Sequence, residues 1–175
     1  MPEPVALPLL HRDAPQSPRF LADAMLERLA RWLRVLGYDV LSAGPGGAEA
    51  LLARDAASNR ILLTRNRAIA APGPAGGSLL IQHQAPLDQL VEVVGRLDLQ
   101  PPWRLFTRCL ICNTGLLPVV RPDGLPPGTP GERLDHRCPG CDRVYWEGVH
   151  TRRMRAALQR ALGQGAAVPA GGSLR

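Results

Sequence analysis

The chain lacks lysine altogether, so all 21 of its basic residues are arginine. That bias most simply reflects genome composition and carries no functional weight alone. Aromatic residues make up only 4% against a hydrophobic fraction of 45%, which excludes an aromatic core and leaves Leu, Val, Ile and Ala to build one. No segment approaches the roughly 20 apolar residues needed to span a bilayer. The opening "MPEPVALPLLHRDAPQSP" has no basic region, and prolines interrupt its apolar run, which argues against a secretory signal. A cytoplasmic protein without membrane contact is the expectation. With 175 residues, two large cores are also excluded, leaving one full domain or one domain of about 100 residues plus a small module.

The net charge of +6 is unevenly placed. Residues 1–100 carry ten Arg and ten acids, whereas residues 101–175 carry eleven Arg and five acids. The excess therefore lies in the C-terminal part, where it suits an anionic partner such as nucleic acid or serves simply as a solvated basic surface.

Pattern along the chain changes once. Residues 1–18 are Pro-rich and aperiodic and read as disordered. From Arg19 to residue 100, short apolar runs alternate with helical periodicities: strands at "RFLAD", "YDVLS", "RILLT" and "SLLIQ", and helices at "AMLERLARWLRVLG", "AEALLARDAAS" and "PLDQLVEVVGRLDL". In the first helix Leu26, Leu29, Ala30, Leu33 and Leu36 form the apolar stripe, with Glu27, Arg28, Arg31 and Arg34 on the wet side. Gly37 is placed to end that helix in the left-handed conformation. This alternation predicts a parallel sheet with helices on both faces. Residues 104–150 read differently, as a small metal module of short strands around a Pro/Gly-rich loop. A helix over Thr151–Leu162 and a disordered tail over 163–175 complete the expected organisation.

The four cysteines form "CLIC", Cys109 and Cys112, and "CPGC", Cys138 and Cys141, with 25 residues between the pairs. Two such knuckles supply four soft thiolates in a tetrahedron, the preference of structural zinc. A redox dithiol would need one copy at the start of a helix, not two. His136 is a minor alternative ligand. A closed shell of this kind does no chemistry, but it staples a module too small to have much core.

The stretches "FLADAMLERLARWLRVLGYDV", "RILLTRNR", "FTRCLIC" and "RCPGCDRVYWEGVHTRRM" together resemble the Mut-seven C-terminal ribonuclease domain family, over about Arg19–Met154. The resemblance implies a PIN-like nuclease fold followed by a zinc ribbon. It also implies RNA cleavage by carboxylates and divalent metal, Mg²⁺ or Mn²⁺, with the ribbon assisting RNA contact. Asp23 matches the family's first acid. Three further acidic positions are replaced: Ala48 stands at the start of the second helix with Glu49 beside it, Ser58 precedes the third strand, and Asn66 follows "LLTR". Glu49, or Glu27 one turn after Asp23, could supply a missing ligand. Arg65 and Arg67 flank Asn66 as candidate phosphate contacts, and Arg152 and Arg153 are candidates on the last helix. Each has a plainer use: Asp23 as a helix N-cap, Asn66 as a turn residue, the arginines as wet surface. The reading is a ribonuclease with catalytic candidates Asp23, Glu49 and Asn66. A catalytically degenerate RNA- or ribonucleoprotein-binding protein is the alternative, and a ribbon that docks a protein partner is the third reading.

Overall fold

The computed structural model describes residues 18–44, 47, 50, 59–70, 77–119 and 135–163. Four short strands, β1 (Phe20–Ala22), β2 (Val40–Ser42), β3 (Ile61–Thr64) and β4 (Ser78–Leu80), form a parallel sheet in the order β2-β1-β3-β4. Phe20 lies opposite both Val40 and Ile61, and Leu62 lies opposite Ser78. Because side chains alternate along a strand, Phe20, Ala22, Leu63 and Leu79 enter one core, and Leu21 and Leu62 enter another on the opposite face. Burial on both sides is why these strands read as continuous apolar runs.

Helices whose bounds lie among the described residues flank the sheet: α1 (Glu27–Val35), α2 (Arg67–Ala70), α3 (Pro86–Arg96) and α4 (Val149–Leu162). A 3-10 turn, Ala24–Leu26, leads into α1. The larger core joins Leu26, Leu29, Ala30 and Leu33 to Leu90 and Val93 of α3 and to Leu158 of α4. Ile69 of α2 packs on the other face against Leu21, Ala43 and Leu62. Helices thus flank both faces, as the alternation predicts. The last helix starts two residues before Thr151, and α3 stops at Arg96 instead of reaching Leu99. The helix expected at "AEALLARDAAS", the loop "RPDGLPPGTPGE" and the tail beyond Gly163 lie outside the described residues. So do Ala48, Glu49 and Ser58.

A second, antiparallel sheet follows in the order β5-β6-β7, with β5 at Leu117–Val119, β6 at Asp135–Arg137 and β7 at Val144–Tyr145. Among the described residues no helix is long and apolar enough to cross a membrane.

The helical stripe is as expected on its apolar side, but Arg34 is not on the wet face: it is 2% exposed. The reason lies in distant partners, described below. Gly37 does end α1, with φ of +97°, and a Cβ there would sit 2.6 Å from the Arg104 carbonyl oxygen. Gly37→Ala therefore meets both left-handed strain and a backbone clash, each worth about 1–3 kcal/mol. Urea unfolding should show a loss of roughly 2–4 kcal/mol; a loss well under 1 kcal/mol would mean that the 104 segment moves aside freely.

Candidate active site and metal centre

The sheet order puts a topological switch between β1 and β3. The chain leaves β1 for β2 on one side, then returns past β1 to place β3 on the other, so the connections at the carboxyl ends of β1 and β3 diverge and leave a crevice. Asp23 directly follows β1, and Asn66 lies two residues beyond β3. Asp23 is 9% exposed and is held by three bonds. Its N–H donates to the Leu63 carbonyl at 2.9 Å, its Oδ1 accepts from Ala24 N–H at 2.7 Å, and its Oδ2 accepts from the Thr64 hydroxyl at 2.9 Å. The same Thr64 oxygen accepts from Asn66 N–H at 3.0 Å, and Asn66 Oδ1 accepts from Ala68 N–H at 3.0 Å. Asp23 and Asn66 are thus brought together through a buried threonine that the sequence reading did not single out. Asp23 also acts as the N-cap of the turn into α1.

Other candidates fall differently. Glu27 Oε1 accepts from Arg31 Nε at 3.2 Å and Arg34 Nη1 at 3.4 Å, so its carboxylate is engaged along α1. Arg65 and Arg67 are exposed on the turn after β3 and form no ion pair among the described residues, and Arg152 and Arg153 are likewise exposed on the first turns of α4. Asp39, which precedes β2 at the opposite edge of the sheet, is clamped by Arg60 through bonds of 2.8 and 3.0 Å and accepts from Asn113 Nδ2 at 2.7 Å. Burial alone would raise its pKa; the bonds from Arg60 and Asn113 outweigh that and hold it below the usual carboxylate range. His83 was also missed. Its Nδ1 lies 2.9 Å from Glu92 Oε2, beyond the carboxyl end of β4, and Glu92 also accepts from the backbone N–H groups of Gln82 and His83. Without the tertiary fold, nothing in "IQHQ" distinguishes that histidine.

The four cysteines are free and converge, their sulfurs all within 4.8 Å of one another. Among the described residues this is the one group of three or more His, Cys, Asp or Glu side chains close enough to share an ion, and His136 is not part of it. Four sulfurs at about 2.3 Å from a tetrahedral ion would be roughly 3.8 Å apart, so the cluster fits a structural metal such as zinc. Two matching knuckles create the convergence. In the first, Asn113 N–H donates to Cys109 O at 3.0 Å and Cys109 N–H to Thr114 O at 2.8 Å. In the second, Asp142 N–H donates to Cys138 O at 2.9 Å and Cys138 N–H to Arg143 O at 2.8 Å. Asn113 and Asp142 take φ of 66° and 62°, the left-handed turn that Asn and Asp tolerate best. Gly140 lets the knuckles close, since a Cβ there would come within 2.6 Å of Thr114 Oγ1.

The thiols are not equivalent. Burial opposes ionisation of Cys112, but the hydroxyl and backbone N–H of Thr114 prevail and lower its pKa to about 6. For Cys141 the Arg143 N–H favours the thiolate, yet burial and the three neighbouring sulfurs push its pKa up to about 12. Cys109 is shifted down against burial by the backbone N–H of Cys112 and the Tyr145 hydroxyl, and Cys138 is shifted up, chiefly by burial.

The first knuckle is locked to the edge of the parallel sheet. Val40 N–H donates to Asn113 Oδ1 at 3.0 Å, Arg108 Nε donates to Gly37 O at 3.2 Å, and Phe106 N–H donates to Val35 O at 2.9 Å. Arg34 completes the join: Nε and Nη2 donate to Val40 O, and Nη1 donates to Leu110 O at 2.8 Å inside the knuckle. The guanidinium is buried because it satisfies carbonyls from two separate parts of the chain.

No curated protein and no solved structure matches the chain. The family model of the Mut7-C RNAse domain does match, over residues 18–158, a span that takes in the parallel sheet, the crevice at Asp23 and all four cysteines. The chain therefore belongs to the Mut7-C RNAse domain family.

Proposed function

We propose that this chain is a ribonuclease that hydrolyses RNA phosphodiester bonds with the help of a divalent ion in the crevice between β1 and β3. The observation that carries the reading is the place of Asp23: a nearly buried carboxylate at the switch point of the sheet in a member of a ribonuclease family. Ala24 N–H and the Thr64 hydroxyl each take one of its oxygens and fix its orientation. Hard ions such as Mg²⁺ or Mn²⁺ require several oxygen ligands, and one carboxylate does not complete a site. Glu49, beside the vacated acidic position, is the residue proposed to join it, and Asn66 is the neutral neighbour where an acid is expected. An ion held there would neutralise charge building on the scissile phosphate. Arg65 and Arg67 are proposed to grip the phosphates on either side, and Arg152 and Arg153 to hold a more distant part of the strand. The four cysteines are proposed to hold zinc, which keeps the basic ribbon in place.

A second reading, an RNA-binding protein whose reaction has been lost, is favoured by one specific contact: Asn66 Oδ1 is committed to Ala68 N–H and so is a poor substitute for a metal ligand. Cleavage of a single-stranded RNA panel with Mg²⁺ or Mn²⁺ separates the two. Asp23→Asn keeps the capping oxygen, so the fold should survive while kcat falls at least ~10- to 100-fold, the usual cost of disturbing a metal site. Asn66→Asp should raise kcat above that of the parent. Binding without cleavage by the parent sinks the enzyme reading, and a gain with Asn66→Asp then marks Asn66 as the missing ligand.

A further inference from the structure

We propose that Trp146 is a stacking platform for an unpaired base of single-stranded RNA, on the solvent face of the β5-β6-β7 sheet. The inference rests on the RNA-directed reading above and goes beyond it by naming the base contact and the strandedness of the ligand.

Alternation along β7 sets the geometry. Tyr145 turns inward, its hydroxyl 3.0 Å from Cys109 Sγ and accepting from Leu110 N–H at 3.2 Å. Its neighbours Val144 and Trp146 therefore point outward, and they are 45% and 57% exposed. Leu117, 43% exposed, shares that face, because Arg137 lies opposite both Leu117 and Val144. Tryptophan is ordinarily one of the more buried side chains, so a ring left this open on a small sheet is informative.

One edge of the ring is also backed by the chain. A Cβ on Gly148 would come within 3.1 Å of Trp146 Nε1 and 3.4 Å of Cδ1, so the five-membered edge of the indole lies against a glycine backbone. The Thr151 hydroxyl donates to the Trp146 carbonyl at 2.9 Å and ties that segment to the first turn of α4.

Charge decides the occupant. Residues 135–163 contain six Arg and three acids. Arg137 pairs with Asp142, and Arg155 with Glu147, which leaves Arg143, Arg152, Arg153 and Arg160 without an ion pair among the described residues. An apolar protein partner would gain nothing from that surplus. A polyanion with exposed π-faces uses both the surplus and the ring, the combination found in single-strand-binding grooves. A duplex keeps its base faces stacked inside and cannot reach the indole.

The test uses the full chain with its cysteine-bound metal retained, in buffer free of Mg²⁺ and Mn²⁺, and reads affinity by fluorescence anisotropy. Three probes are compared: an oligouridylate of about twelve nucleotides, an abasic ribose-phosphate chain of equal length, and the same uridylate paired in a duplex. Trp146→Ala should weaken oligouridylate binding about 10- to 100-fold while changing the abasic chain less than about twofold, and Trp146→Phe should retain most of the affinity. The duplex should bind the parent no better than the abasic chain does. Unchanged metal content and melting temperature in each variant show that the fold is intact. Equal affinity of parent and Trp146→Ala for oligouridylate overturns the proposal, as does an equal loss on both single-stranded probes. Absence of RNA binding by the parent, with a protein found docked on this face instead, overturns it too. Cleavage by the parent with Mg²⁺ or Mn²⁺ is scored separately. A failed platform with cleavage intact leaves the ribonuclease reading standing, and Trp146-dependent binding without cleavage sinks the reaction alone.

Discussion

Arg34→Leu is expected to lower the free energy of unfolding by about 3–5 kcal/mol, one of the largest single-residue effects in this protein. The arithmetic comes from what is left behind. The Val40 carbonyl loses donors at 3.1 and 3.0 Å, and the Leu110 carbonyl loses one at 2.8 Å. Each buried acceptor left without a donor costs ~1–3 kcal/mol, and the leucine does not refill the volume of a fully buried guanidinium. The ion pair with Glu27 contributes little to this total, since Glu27 is 34% exposed and keeps Arg31 as a partner. Burial pulls the Arg34 pKa down, and the Glu27 carboxylate opposes that pull, so the guanidinium stays in place because its donors are satisfied. Arg34→Lys should recover less than half of the loss, because one ammonium cannot span carbonyls of β2 and of the knuckle together. Urea melts of the three proteins measure this. A loss below about 1 kcal/mol for Arg34→Leu would mean that water replaces the fork at little cost.

That arginine also marks the boundary of what a sequence of this kind discloses. The four strands were legible because each is a short apolar run buried on two faces, and Gly37 because a helix must end where the next strand begins. The cysteine cluster was legible because thiolate spacing is itself the signal. Arg34 was not, because at helical spacing a charged residue reads as wet surface, and the acceptors that bury it come from Val40 and from Leu110, 76 residues later. Asn113 likewise looks like an ordinary turn residue after a cysteine pair, yet its two side-chain bonds hold the edge of β2 and the clamped Asp39. At the candidate active site, the topology foretold that Asp23 and Asn66 would share an edge. It did not foretell the Thr64 hydroxyl between them, since threonine in a strand is explained sufficiently by its β-propensity.

Stripping the metal from the cysteine cluster is expected to loosen the parallel sheet as well as the ribbon. Structural zinc in small modules supplies apparent binding free energies of about 10–16 kcal/mol, comparable to the whole stability of an ordinary domain, so the knuckles should not persist without it. Their loss removes four bonds that cross to the sheet and α1: Asn113 to Val40 N–H and to the Asp39 carboxylate, Arg34 to Leu110 O, and Arg108 to Gly37 O. At a net ~1 kcal/mol each, about 4 kcal/mol of stability leaves the parallel sheet, equivalent to a fall of roughly 8–16 °C in melting temperature. Hydrogen exchange locates the effect. The Val40 amide, whose acceptor is Asn113 Oδ1, should lose protection on chelation, while the Leu63 amide of the inner strand β3 and the Leu79 amide of β4, at the edge away from β2, should keep most of theirs. Metal analysis before stripping should find about one zinc per chain. Binding must also weaken as pH falls, because the bound form needs four thiolates and an ordinary thiol is largely protonated at neutral pH. Reloading the stripped protein with zinc at pH 7 should therefore release up to about four protons per ion, measurable in a weakly buffered titration. If the chelated protein kept both its melting temperature and the protection of Val40, the ribbon and the sheet would be independent bodies, and the bonds that cross between them would be energetically idle.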